Sequence, residues 1–343
     1  MSTSVERQNG EHSLPVNIAD HIRAESQLHP EVTGSLASIL TDLTRVAKEI
    51  SFTVNTAGIQ NLYRSTGRTN AYGENVIQLD EKANQQFKDI LANNDNVAGF
   101  SSEEEEGFVP YPNSEDGKYI LWFDPLDGSS NFDINGSVGS IFSIYKRVSP
   151  DKTPVDEKDF IQKGSEQVCA GYFLYGPSTM LVYTARFGVY RFTLNPSVGE
   201  FVLPKEYAQI ATPDSGGIYS VNEAYSNNWP DSVKSYVNHL KTRPGATSRY
   251  VGSLVADVDR DLLKGGVYLY PADSNHPTGK LRLNCEANPL AFVVEQAGGA
   301  ATDGTNRILD LQPESLLQTT PLIIGSKNEV ELFRQFTQRP LWQ

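Results

Sequence analysis

The sequence predicts a layered α/β protein of two subdomains. A length of 343 residues suggests about two domains at ~150 residues each. Apolar residues recur at helical spacing in some stretches, while short β-branched or aromatic runs bounded by turn residues mark strands in others. After a run of strands, helical and strand patterns alternate beyond a boundary at Pro196–Pro204.

Taken in order, residues 1–16 read as a mobile tail. A long helix follows, marked by Leu36, Ile39, Leu40, Leu43, Val46, Ala47, Ile50 and Val54, with Ser35 as its N-cap and Gly58 as its stop. Residues 64–75 are polar and Gly-bearing, which predicts a flexible loop. Leu79, Ala83, Phe87 and Ile90 mark a second helix. Strands are predicted at 119–123, 138–145, 168–175, 180–184 and 188–192, the later ones as antiparallel neighbours. The charged stretch 149–167 reads as a surface excursion. Leu254, Val255, Val258 and Leu262 mark a helix, and 267–270 a strand. Leu290, Val293, Val294 and Ala297 mark another helix with Pro289 in its first turn. A strand at 321–325 and a helix through Val330, Phe333 and Phe336 close the chain.

Composition excludes several classes. With 38% hydrophobic and 21% charged residues, the chain can bury a sizeable core. A net charge of −13 argues against nucleic acid or an anionic membrane as partner. No apolar run approaches the ~18 residues of a membrane span, and no signal or transit peptide is readable. Cys169 and Cys285 lie far apart outside any CxxC, and the five histidines form no close pair, so any metal here takes oxygen ligands.

The most informative stretch is FDPLDGSSN, from Phe123 to Asn131. An apolar strand runs into Asp124, Pro125 is expected to end it, and Asp127-Gly128 forces a turn. Two carboxylates thus stand at the carboxyl end of a strand, where α/β sheets bind ligands. The following amides of Gly128, Ser129 and Ser130 can cradle a phosphate. Acids beside anion-binding amides suggest a metal-dependent phosphate site. Alone, Asp127-Gly128 would be an ordinary turn; the whole string is far more specific. Other acids are weak signals singly. Glu103 to Glu106 read as a solvated loop, Asp80 as an N-cap, and Glu286 as an acid at a helix start. Were they to converge, two carboxylates ~4 Å apart would repel by about 4 kcal/mol at an effective dielectric of ~20, roughly three pKa units. Divalent cations would relieve that, and magnesium suits oxygen ligands and phosphate.

A second, basic and aromatic constellation comprises RYVGS from Arg249, LYP around Tyr270, and GKLRLNCE from Gly279 to Glu286. An anionic substrate needs local cations to offset the net charge, and Arg249, Lys280 and Arg282 are candidates. By themselves these segments read as ordinary strand and surface chemistry.

Together, FDPLDGSSN, SSEE at 101–104, SRYVGS at 248–253, LYP at 269–271 and GKLRL with Glu286 resemble class I fructose-1,6-bisphosphatase, within the inositol monophosphatase-like sugar phosphatase superfamily. The resemblance runs from about Ile18 to the C-terminal helix. It implies a layered α/β sandwich of the sugar phosphatase type, with mixed sheets in two subdomains: an N-terminal regulatory domain at 17–200 and a C-terminal sugar-bisphosphate domain at 201–343. It assigns two or more Mg2+ per subunit, with Mn2+ as a substitute, to Glu103, Glu104, Asp124, Asp127, Glu286 and the Leu126 carbonyl. Asp80 and Glu104, with Glu103, are the implied catalytic acids that activate the attacking water. Asp127, Gly128, Ser129 and Ser130 fall on the 1-phosphate side. Asn222, Tyr225, Tyr250, Tyr270, Lys280 and Arg282 fall on the 6-phosphate and sugar side. Arg249 matches an arginine that reaches a neighbouring subunit, implying a homo-oligomer, usually a tetramer.

The implied reaction is magnesium-dependent hydrolysis of D-fructose 1,6-bisphosphate to fructose 6-phosphate and phosphate, a gluconeogenic step in the cytoplasm. The alternative is a sedoheptulose-1,7-bisphosphatase or a dual-specificity enzyme. Arg249, Tyr250 and Lys280 together speak for a second phosphate and against inositol monophosphate. Two departures stand out. Glu74 occupies the place of a loop aspartate that meets the arginine matching Arg282. At the AMP site, Thr33, Gly34, Lys118 and Tyr119 are in place. Ser35, Leu36, Ala37 and Lys146, however, replace Glu, Met, Thr and Arg. Lys146 keeps charge but loses bidentate phosphate recognition, so weak or absent AMP inhibition is expected.

Overall fold

The computed structural model describes residues 16–29, 33–70, 72–112, 114–204 and 209–338. The predicted tail lies outside them, apart from Val16. The first half opens with β1 (Val16–Asn17), α1 (Ile18–Leu28) and α2 (Gly34–Gln60). The hairpin β2 (Ser65–Thr69) and β3 (Asn75–Ile77) leads into α3 (Gln78–Leu91). Then come β4 (Val97–Ser102), β5 (Phe108–Pro110), β6 (Tyr119–Asp127), β7 (Val138–Lys146) and the short α4 (Glu157–Phe160). β8 (Gln167–Tyr175), β9 (Thr179–Thr184), β10 (Val189–Asn195) and β11 (Glu200–Leu203) complete a nine-stranded sheet of order β1-β11-β10-β9-β8-β7-β6-β4-β5. Only β4 and β6 run parallel in it.

The second half contains β12 (Ile218–Ser220), α5 (Asp231–Thr242), β13 (Thr247–Ser248), α6 (Leu254–Lys264) and β14 (Gly266–Tyr270). β15 (Leu281–Arg282), α7 (Asn288–Gln296), β16 (Ala300–Thr302), β17 (Thr319–Thr320), β18 (Leu322–Gly325) and α8 (Lys327–Gln338) follow. Its main sheet has the order β13-β12-β14-β18-β16 and is mixed.

Strand periodicity builds the layers, because alternate side chains face opposite ways. In β8, Cys169 and Phe173 join the core formed with α1, α2 and α3, whereas Ala170 and Tyr172 join the core formed with α6 and α7. That second core also takes Tyr268, Leu322 and Ile324 from the smaller sheet. A third core packs α5 and α8 on the smaller sheet's outer face. The result is α/β/α/β/α, with α6 and α7 between two sheets.

Several elements differ from expectation. Thr33, not Ser35, caps α2 by accepting from the Leu36 N–H at 3.3 Å. The helix runs through Gly58 and ends at Asn61 in the left-handed region, φ 63°. Apolar packing outweighs the ~1 kcal/mol cost of one helical glycine. Residues 64–75 form most of a hairpin rather than a structureless loop. The 149–167 stretch is anchored: buried Asp159 accepts the Val148 and Ser149 N–H groups at 2.7 Å, and Trp122 Nε1 donates to the Phe160 carbonyl at 3.1 Å. Pro125 does not end β6; the strand bulges between Asp124 and Asp127 and continues. Asp80 is not the N-cap of α3 but lies three residues inside it.

Candidate functional site

Parallel pairing of β4 and β6 brings their carboxyl ends side by side, and the Glu103 N–H donates to the Phe123 carbonyl at 3.1 Å. The chain leaving β4 carries Glu103 and Glu104, and the β6 bulge carries Asp124, Leu126 and Asp127. Glu286 arrives from the wide helical turn before α7. Asp80 comes from the first turn of α3 and accepts the Ile77 N–H at 2.9 Å. These residues, with Gly128, Ser129, Glu74 and Arg282, line one cleft of about 80 Å³. Carboxylate oxygens of Asp124, Asp127 and Glu286 lie within 4.8 Å of one another. Of the glutamate run, Glu105 turns away and pairs with Lys88 at 2.7 Å.

Burial dominates the electrostatics. It pushes Asp80 up to about 6 against the pull of its hydrogen bonds to Ile77 and Ser129. It pushes Glu103 to about 7 and Glu286 to about 8, with Arg282 opposing in both cases. Glu104 rises to about 7 through burial and then the charge of Asp80. Burial also raises Asp124, reinforced by Glu103 and Asp127, and raises Asp127 despite donors from Val255 and Ser253. The protein cation among them is Arg282, ion-paired with Glu74 and Glu103 and 3.6 Å from Glu286. One guanidinium cannot neutralise six raised acids, and Asp80 Oδ1 is buried with no hydrogen-bond partner. A dense set of hard oxygen donors fits a divalent cation such as magnesium or manganese.

The anion turn is fixed by its surroundings. Asp127 Oδ2 accepts from Ser253 Oγ and from the Val255 N–H, both at 2.9 Å, at the start of α6. Gly128 sits at φ 78°, and a Cβ there would stand 2.7 Å from the Ser253 Cβ. Ser129 to Asn131 form a single tight turn, on which Ser130 is exposed. The hairpin closes over the acids. Glu74 ion-pairs with both Arg282 and Lys280, and the Arg282 guanidinium lies 4.6 Å from the Tyr72 ring centroid.

Asn222, Tyr225 and Tyr270 line a second cleft, with the two rings 6.5 Å apart. Burial pushes Tyr250 and Tyr270 up to about 12. Lys280 stands 2.9 Å from Glu74. Arg249 is exposed and, among the described residues, has no carboxylate within salt-bridge distance. Across the large sheet, Thr33 Oγ1 and the Tyr119 hydroxyl are 3.0 Å apart, next to Gly34 at the start of α2. Lys118 adjoins Tyr119, and Lys146 is its cross-strand partner. Sequence reasoning assigned no role to Tyr72 or to the Ser253 bond with Asp127. The hairpin lacks alternation, and a serine at a helix start reads only as a cap.

Acids at two parallel strand ends beside an amide turn, inside an α/β/α/β/α sandwich, define a sugar phosphatase. Residues 17–206 match the family model "Fructose-1-6-bisphosphatase, N-terminal domain", and residues 212–338 match "Fructose-1-6-bisphosphatase, C-terminal domain". Class 1 fructose-1,6-bisphosphatases of Chlorobium phaeobacteroides and Chlorobium phaeovibrioides are each 47% identical over 328 residues, covering 94% of this chain and 98% of theirs. The holo structure of Leishmania major fructose-1,6-bisphosphatase superposes with a TM-score of 0.89 at 37% identity, covering 95% of this chain and all of that one. Its apo form gives 0.84 at 36% identity with the same coverage. The chain belongs to the class 1 fructose-1,6-bisphosphatase family and is a phosphatase. No helix among the described residues is long and apolar enough to cross a membrane.

Proposed function

We propose that this enzyme hydrolyses the 1-phosphate of D-fructose 1,6-bisphosphate, giving fructose 6-phosphate and phosphate in gluconeogenesis in the cytoplasm. The observation that carries this is the acid cleft and anion turn beside a tyrosine-lined second cleft. Glu103, Glu104, Asp124, Asp127, Glu286 and the Leu126 carbonyl would hold two or more magnesium ions, with manganese as substitute. Bound there, such ions supply charge stabilisation for the phosphoryl group and the leaving oxygen. The chain's own groups do the rest. Gly128, Ser129 and Ser130 hold the 1-phosphate through amides and hydroxyls. Asp80 and Glu104 take the proton of the attacking water, as carboxylates in the same cleft as the anion turn. Asn222, Tyr225, Tyr250, Tyr270 and Lys280 grip the 6-phosphate and sugar, and Arg282 holds the closed hairpin through Glu74.

The same reading extends to assembly and control. Exposed Arg249 reaches a second copy in a homotetramer. Residues 17–200 form the regulatory domain and 201–343 the sugar-bisphosphate domain. AMP binds weakly around Thr33, Gly34, Lys118, Tyr119 and Lys146, because a lysine replaces a bidentate arginine; half-inhibition at low micromolar AMP would overturn this. The central test measures phosphate release from fructose 1,6-bisphosphate during a magnesium titration, alongside sedoheptulose 1,7-bisphosphate and inositol 1-phosphate. Magnesium-dependent release from the fructose substrate alone is expected, and Asp127→Ala abolishes it. Equal turnover of both bisphosphates would make the enzyme dual-specific, and no release at saturating metal would refute the assignment.

A further inference from the structure

We infer that Arg260 and Asp257 of α6 are positioning residues that clamp the loop at 249–252 to the strand end leading into the second cleft; this rests on reading that cleft, with Tyr250, as the 6-phosphate subsite. Asp257 is fully buried and accepts the Val251 N–H at 3.0 Å and the Gly252 N–H at 3.0 Å. Arg260 Nη2 reaches Asp257 Oδ1 at 2.5 Å, the Arg249 carbonyl at 3.0 Å and Ser220 Oγ at 2.6 Å. Ser220 ends β12, two residues before Asn222, and its hydroxyl donates to buried Asp261 at 3.0 Å. One guanidinium therefore bonds both the loop carrying Arg249 and Tyr250 and the strand end that aims Asn222. The Arg249 N–H donating to the Tyr219 carbonyl at 3.0 Å completes the bridge between the two segments.

The chemistry explains the choice of residues. A buried ion pair is a poor source of stability compared with apolar packing, and its best use is to fix one arrangement among several. From one guanidinium nitrogen Arg260 reaches a carboxylate, a carbonyl and a hydroxyl on three segments; a lysine ammonium also has three donors, but on a flexible stem with no planar head to hold them in one fixed arrangement. Neither Arg260 nor Asp257 lines either cleft. They act by fixing the backbone that carries Tyr250 against the strand end that leads to Asn222.

The test compares Arg260→Gln, Arg260→Lys and Tyr250→Phe on fructose 1,6-bisphosphate and on fructose 1-phosphate, which lacks the second phosphate. The clamp predicts that Arg260→Gln raises KM for the bisphosphate about tenfold, the factor typical of a lost charge-assisted hydrogen bond. It also predicts a much smaller change in kcat/KM for the monophosphate, with Arg260→Lys recovering only part of the loss. Equal losses on both substrates would show a merely structural role and overturn the proposal. If Tyr250→Phe raises the bisphosphate KM but Arg260→Gln does not, the clamp alone is refuted. If Tyr250→Phe leaves that KM unmoved, the subsite reading falls and the clamp with it.

Discussion

Asp80→Asn exposes the cost of assembling the acid cleft. Asp80 is 4% exposed, and burial raises its carboxyl from 3.8 to about 6. The sign follows from proton counting. Between these values the folded chain holds more protons than the unfolded one, so stability falls as pH rises from about 4 to about 6 and then stays low. A shift of about two units corresponds to about 3 kcal/mol at pH 8, of which about half is already lost at pH 5. Asparagine cannot ionise and still accepts the Ile77 N–H, at a weaker neutral hydrogen bond costing about 1 kcal/mol. In chelated protein the variant should therefore be more stable than wild type by about 2 kcal/mol at pH 8, the margin shrinking by about 1.4 kcal/mol at pH 5. Thermal or urea unfolding in chelator at the two pH values measures this, and phosphate release from the metal-supplied enzyme should be nearly lost. A variant less stable at pH 8, or a margin that ignores pH, would refute the reasoning.

Ser253→Ala removes one of the two 2.9 Å donors on Asp127. Loss of such an outer partner typically weakens metal binding about 10–100-fold, so half-activation should need correspondingly more magnesium, and an unshifted curve would count against the Asp127 ligand role. Gly128→Ala forces a Cβ to 2.7 Å from Ser253 Cβ at φ 78°. It should lower stability by about 1–3 kcal/mol and cut activity with it; an unchanged melting temperature would contradict the close approach. Glu74→Gln breaks the ion pairs with Arg282 and Lys280. Trypsin should then cut faster after Arg68 in the hairpin, whereas an unchanged cleavage rate would mean that other contacts hold it closed.

What could be read from the sequence depended on whether one element carried its own signal. FDPLDGSSN declared itself because strand, acids and turn are contiguous, and the apolar strands from β6 to β10 alternate against punctuating turn residues. β4 did not, since VAGFSS is made largely of small residues and is buried along its whole length. The hairpin was hidden for the opposite reason: its residues are mostly exposed and polar, and its shape is held by Glu74 reaching Arg282 over two hundred positions away. Convergence of Asp80, Glu103 and Glu286 on the β6 acids is likewise a product of topology. No local spacing encodes it: parallel pairing of β4 with β6 brings Glu103, while the first turn of α3 and the turn before α7 bring Asp80 and Glu286.

α6 shows how far a local pattern can mislead about role. Its spacing of Leu254, Val255, Val258 and Leu262 marks one apolar face, and the intervening Asp257, Asp259, Arg260 and Asp261 resemble the solvated face of any surface helix. A second sheet lies where water would be, and all three aspartates are buried. A charge enclosed in this way must find partners or neutralise. Asp259 takes the Tyr172 hydroxyl at 2.9 Å and Arg191 at 3.2 Å from the large sheet, while Asp261 takes Ser220 from the small one. The start of the same helix holds Asp127. The need to satisfy these buried charges thus makes one helix the shared support of the acid cleft and the tyrosine cleft.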